Sequence, residues 1–167
     1  MRSLLRWLLL CGVAFVSLQL YFVGRIAAMA VIDPQSTAFE RSEAWRVARE
    51  RDTFRWRQEW VPYERISDNL KRAVIASEDD SFRQHDGVDW EALEKAWAKN
   101  AKAEQRAEQR LSQGKASTKP PKIVGGSTIT QQLAKNLFLS GERTLLRKGQ
   151  EFVLTLLLEQ LLSKQRI

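Results

Sequence analysis

An uncharged run of 18 residues, Trp7 to Gly24, follows Arg2 and Arg6, and no other feature narrows the folds open to this chain as much. A helix of that length rises about 27 Å, roughly the thickness of a bilayer core. The apolar tail Ile26 to Ile32 can extend the span past Arg25, whose side chain can reach a headgroup from near the end of a membrane helix. Ala28-Met29-Ala30 has the small-x-small form that signal peptidase accepts, so a cleaved leader competes with an anchor. The run is longer than the apolar part of a usual leader, which favours an uncleaved anchor over residues 1–32. Arg2 and Arg6 then hold the amino terminus in the cytoplasm, and everything after Asp33 lies on the far side.

With the anchor set aside, the 167-residue chain has room for one domain of ordinary size. Cys11, the only cysteine, sits inside the anchor, so no intrachain disulfide exists and no cysteine cluster supports a zinc site. The net charge of +7 is concentrated: Lys95 to Lys122 holds eight Lys or Arg against two Glu. That segment has no aromatic residue after Trp97 to stack on a base, which argues against nucleic acid and toward solvation or anionic lipid. Its Gly, Ser, Thr and Pro ending predicts a helix end followed by a mobile basic insert over about 98–122.

Residues 33–66 read as a connecting region, with a short helix over Arg41 to Arg51 and a weakly alternating strand over Thr53 to Val61. A domain follows over 67–167. Ser67 or Asp68 caps a helix ending near Glu78, and Asp89 caps another with Trp90, Leu93 and Trp97 on its inner face. Between them, His85 is the only histidine, which suits a structural hydrogen-bonder in a turn. No G-x-S-x-G elbow supports a serine hydrolase.

The segment Gly125 to Asn136, GGSTITQQLAKN, predicts a helix starting at a Thr128 to Gln131 capping-box pattern. Thr128, Gln131, Gln132 and Lys135 fall within one arc of roughly 100°, opposite Ile129, Leu133 and Leu137. By itself this pattern fits a plain amphipathic surface helix as well as a binding face. A last helix begins near Arg143, carries Arg143, Arg147 and Glu151 as one stripe with Lys148 beside it, and continues as FVLTLLL, which is apolar nearly all round and predicts burial. Charges at the entrance of a buried helix point to function.

Three blocks in this order resemble one family, the peptidoglycan glycosyltransferases of family 51, and in particular its monofunctional branch. They are Glu78-Asp79-x-x-Phe82-x-x-His85-x-Gly87, then Gly126-Ser127-Thr128-x-x-Gln131-Gln132-x-x-Lys135-Asn136, then Arg147-Lys148-x-x-Glu151. The resemblance covers roughly residues 60–167. It implies a mainly α, lysozyme-like glycosyltransferase domain behind one transmembrane helix, facing outward from the bacterial cytoplasmic membrane. It also implies polymerisation of lipid II into β-1,4 glycan, with inversion and release of polyprenyl pyrophosphate. Under it Glu78 is the general base and Glu151 a second catalytic glutamate. Asp79, Ser127, Thr128, Gln131, Gln132, Lys135, Asn136, Arg143, Arg147 and Lys148 meet sugar or phosphate oxygens, while Phe82, His85 and Gly87 shape the first motif. No resident cofactor is implied, a divalent cation (Mg or Mn) at the pyrophosphate being the one addition left open. The implied partners are lipid II and the growing lipid-linked glycan, with cell-wall synthesis or division proteins also open.

Two departures qualify the resemblance. The stretch between Glu78 and Lys135 is expanded by the basic segment, and Ile167 falls inside a motif, begun at Lys164-Gln165-Arg166, that continues in the family as Leu-Glu-x-Tyr-Leu-Asn. An incomplete domain is therefore expected. A non-catalytic fragment and a lysozyme-like lytic hydrolase, with Glu78 as general acid, are the competing readings.

Overall fold

A computed structural model of the chain describes residues 2–50, 55–113, 123–141 and 144–167. Among the described residues six α-helices follow one another: α1 (Arg2–Ala28), α2 (Ala38–Glu50), α3 (Asp68–Glu78), α4 (Trp90–Ser112), α5 (Ile129–Phe138) and α6 (Leu145–Leu161), with a 3₁₀ turn at Tyr63–Arg65. The fold is mainly α, as predicted, and no strand occurs among the described residues. The strand expected over Thr53 to Val61 is absent where described, since 55–62 has no regular structure; Thr53 and Phe54 lie outside the described residues. Its alternation rested on Phe54, Trp56 and Trp60, and a lone strand with no partner to pair with has no ladder to stabilise it.

The chain divides into two compact units, Met1–Trp60 with Thr130–Ile167, and Val61–Ile129. The first is organised by apolar burial. Phe22, Ile26 and Met29 from α1 and its end pack with Ala134 and Leu137 of α5 and with Leu154, Leu158 and Leu162. Ile26, Leu154 and Leu158 are fully buried, each worth about 1.5–3 kcal/mol relative to exposure. Polar contacts reinforce this packing. Gln19 and Gln150 exchange amide hydrogen bonds at 3.3 and 3.2 Å, and Arg166 Nε donates to the Met29 carbonyl at 2.5 Å. Earlier in α1 the leucines and valines are exposed, and the helix is long and apolar enough to cross a membrane. Arg25 lies over the rings of Tyr21 and Phe138, at 5.9 and 6.0 Å from their centres.

One face of α6 departs from the expected all-round burial. Leu154, Thr155 and Leu158 are buried, but Phe152, Val153 and Leu156 are exposed, because the core cluster lies along one side of the helix only.

The second unit is built on its caps. Ser67 Oγ accepts from Leu70 N–H at 3.2 Å to start α3, and Asp89 accepts from Ala92 N–H at 2.7 Å to start α4. Trp90 and Trp97, expected on the inner face of α4, are 66% and 75% exposed. The inner face is set instead by close backbone approach: a Cβ on Gly126 would meet Leu93 Cα at 3.1 Å and Ala96 Cβ at 3.2 Å. Only small groups fit there, so bulky indoles are turned out. Asn100 completes this face by exchanging hydrogen bonds with the Val124 backbone at 3.0 and 2.8 Å. The basic segment begins as regular helix, since α4 runs on to Ser112, and 114–122 lie outside the described residues.

Candidate functional site

In the second unit, Glu78 is the last residue of α3, and its neighbour Asp79 turns inward. The Asp79 carboxylate, 9% exposed as a residue, collects donors from three directions. His85 Nε2 lies 2.9 and 3.1 Å from its two oxygens, Ile129 N–H donates at 3.0 Å, and Ser81 Oγ at 3.3 Å. Gly87 N–H donates to His85 Nδ1 at 3.2 Å, which makes Nδ1 the acceptor and puts the proton on Nε2, toward Asp79. Phe82 is buried and meets the His85 ring edge-on, with centres 6.4 Å apart. Gly87 adopts φ 88°, in the left-handed region where a side chain would be strained, and its carbonyl accepts from Thr128 Oγ1 at 2.6 Å. The single Ser81 hydroxyl proton is shared with Asp89, whose carboxyl is held below the usual aspartate range, first by the Ala92 N–H and then by that hydroxyl.

These bonds tie the first motif to the entrance of α5. The helix begins at Ile129, next to the predicted start, but its first N–H is met by Asp79, 50 residues away in sequence, while the Thr128 hydroxyl faces Gly87. Beside this knot lies a hollow of about 160 Å³, lined by Glu78, Asp79, Asp80, Ser81, Asp89 and the backbone and side chains of Gly125–Thr128. It gathers Glu78, Asp79, Ser127 and Thr128, and no cation lines it among the described residues. Glu78 is exposed at its edge.

In the first unit, Thr144 caps α6 by accepting from Arg147 N–H at 3.2 Å. One turn on, Glu151 is 3% exposed and flanked by two cations: Arg147 Nη1 at 2.9 Å and Lys148 Nζ. One carboxylate against two cations leaves a surplus positive charge. Arg147 Nε is buried and has no hydrogen-bond partner among the described residues, and Lys148 is half exposed. Arg143 lies outside the described residues.

Along α5 the expected polar strip divides. Thr128 and Gln131 are buried, whereas Gln132, Lys135 and Asn136 are partly exposed. Gln131 lies with Thr130, Ala134 and Leu137 on the inner side, and Ile129 and Leu133, expected there, are only partly buried. Polar groups can occupy the inner face because they are satisfied: Thr130 is bonded to Glu159, and Gln131 has interactions of its own. Neither Asp89 and Ser81 as members of the knot nor the Thr130 to Glu159 bond had a local signal, since these partners stand eight and 29 residues apart.

Residues 46–167 match the family described as Transglycosylase. The chain is 49% identical over 170 residues to the biosynthetic peptidoglycan transglycosylase of Burkholderia thailandensis, covering 99% of this chain and 60% of that protein. It is 47% identical over 168 residues to proteins of the same name from Herminiimonas arsenicoxydans and a Janthinobacterium species, covering 100% of this chain and 66% of each. The chain thus spans about three-fifths to two-thirds of the length of these relatives.

Proposed function

The chain belongs to the transglycosylase family, and from that membership we propose that it acts as a peptidoglycan glycosyltransferase, polymerising lipid II into β-1,4 glycan. In the proposed step, the 4-hydroxyl of an acceptor GlcNAc attacks C1 of the donor sugar while Glu78 takes the hydroxyl proton. The C1–O bond to polyprenyl pyrophosphate breaks with inversion from α to β, and the leaving group departs as an anion. Lys135, Arg143, Arg147 and Lys148 meet that charge, and Glu151 holds Arg147 and Lys148 in place for it. Ser127, Thr128, Gln131, Gln132 and Asn136 are assigned to sugar and phosphate oxygens.

The observation that carries this reading is the incomplete satisfaction of Arg147. Its Nη1 is engaged by Glu151 while its buried Nε has no partner among the described residues, the arrangement expected of a guanidinium that awaits an oxyanion. A surplus of cations suits a phosphate leaving group better than the neutral sugar of a lytic hydrolase. The anchor α1 keeps the enzyme where a lipid-linked donor diffuses, with Arg2 and Arg6 on the cytoplasmic side of the membrane.

Asp79, His85 and Asp89 come close enough to hold a metal ion, but the group does not fit one. Both His85 nitrogens are engaged, Asp79 receives three kinds of donor, and Asp89 is committed to capping α4. An ion would have to displace that set. A divalent cation arriving on the pyrophosphate needs no such ligands.

The test is conversion of lipid II to polymer by the protein and its Glu78→Gln variant. Loss of the base should lower the rate by about 10²–10⁴-fold. An unchanged rate in the variant would remove Glu78 from its role. Release of fragments from purified cell wall without consumption of lipid II would replace the proposal with a hydrolase.

A further inference from the structure

A second buried carboxylate in the first unit takes no part in the chemistry above. Glu159, near the end of α6, has a side chain only 7% exposed, and its partners are Lys164 Nζ at 2.9 Å and Thr130 Oγ1 at 2.5 Å. Thr130 is fully buried and is the second residue of α5. Valine would fill the same space without a polar group, so the buried hydroxyl needs an explanation beyond volume. The distance lies in the range of charge-assisted O–H···O⁻ bonds, which are both strong and directional.

The apolar contact between these helices is made by Ala134 and Leu137 on α5 and by Leu154 and Leu158 on α6. Apolar packing hardly fixes rotation of a ten-residue helix about its axis. Rotation by about 10° would carry the tip of a long side chain through roughly 1 Å, because it stands well outside the ~2.3 Å Cα radius.

We propose that Thr130, Glu159 and Lys164 form a positioning clamp that fixes the rotation of α5 and thereby aims Gln132 and Lys135. Lys164 pairs with the Glu159 carboxylate and orients it, and the Thr130 hydroxyl reads that orientation into the first turn of α5. These are positioning residues. The inference rests on the proposed role of Lys135 at the pyrophosphate, and its tests separate the two.

Thr130→Val should lower kcat on lipid II by about 10- to 100-fold, as expected for a misplacement near 1 Å, with KM changed less than about threefold. Thr130→Ser keeps the hydroxyl and should keep kcat within about threefold. The double variant Thr130→Val/Glu159→Leu replaces both polar partners by apolar groups, which should restore the thermal midpoint lost in Thr130→Val alone. It should not restore kcat, because the directional bond is gone. Recovery of both together, or a wild-type kcat in Thr130→Val, would overturn the clamp and leave a merely structural contact. Amide hydrogen exchange along Gln131 to Lys135 gives a readout without turnover, expected to rise at least about tenfold in the double variant at restored midpoint. Wild-type exchange there also overturns the clamp. Absence of polymer from the unmodified protein removes the glycosyltransferase reading alone, since the exchange result still decides the clamp.

Discussion

Asp79 and Glu151 are both buried carboxylates in the family's motifs, and they are satisfied in opposite ways. Asp79 is surrounded by neutral donors: an imidazole N–H, a backbone N–H and a hydroxyl. Glu151 is held by an arginine and a lysine. Neutral donors leave the Asp79 knot with a fixed hydrogen-bond direction at every partner, so it suits shaping the turn that carries Glu78. Two cations around one carboxylate leave positive charge uncompensated, so the α6 cluster suits an anionic ligand. The contrast separates geometry from electrostatics, and each half can be broken alone.

The largest effect is expected at Glu151. Glu151→Gln leaves Arg147 buried with no counter-charge, while half-exposed Lys148 can turn to water, and stability should fall by about 3 kcal/mol in urea denaturation. The joint replacement Glu151→Leu/Arg147→Met should regain much of that loss, because a buried ion pair is commonly matched by apolar residues of similar volume. Polymerisation should stay lost in both. A joint variant that polymerises lipid II would show that the cluster holds the fold and has no electrostatic role.

A smaller effect is expected at Asp79. In Asp79→Asn one carboxylate oxygen becomes an NH₂ group, which in either orientation sets donor against donor, facing Ile129 N–H or lying where an oxygen stood 2.9 Å from His85 Nε2–H. The imidazole cannot compensate by switching tautomer, since its Nδ1 must stay unprotonated to accept from Gly87. One donor is left unsatisfied at a cost of about 1–3 kcal/mol, and the loss should be insensitive to salt because no ion pair is broken. A cost exceeding that of Glu151→Gln, or one that fades at high ionic strength, would erase the distinction between the two sites.

The legible and illegible parts of the molecule divide along a similar line. Features whose cause is local were readable: the Ser67 and Asp89 caps, the end of α3 at Glu78 and the i, i+4 pairing of Arg147 with Glu151. Features made by partners distant in the chain were not. Periodicity put Trp90 and Trp97 inside, but the approach of Gly126 to Leu93 and Ala96 decided the inner face of α4. The polar arc of α5 was read as one strip because amphipathic reasoning sends polar groups to water. Thr130 and Gln131 are buried since partners elsewhere satisfy them, and Glu159 is not foreseeable from Thr130. Burial of the far face of α6 was inferred from composition alone, which does not reveal how many neighbours a helix has.

The smallest predicted effect probes the outer edge of the Asp79 knot through pH. Asp89 is held below its ordinary value of 3.8, by the Ala92 N–H first and the Ser81 hydroxyl second, both of which stabilise the ionised carboxylate. In the folded state it therefore binds fewer protons than in the unfolded chain over the interval just under 3.8. Its contribution is fully present above that value and disappears as pH falls through the lowered folded value. Asp89→Asn keeps a good helix cap but does not titrate, so it isolates the charge. The difference in urea midpoint between the two proteins should be constant near neutral pH and should shrink once pH drops below about 4. Other carboxylates titrate in the same range, but they do so in both proteins and cancel in the difference. A difference that does not change on acidification would mean that Asp89 acts as a neutral cap. The Ser81 hydroxyl would then be bound to Asp79 in preference, and the knot would be held by one carboxylate where the structure has two.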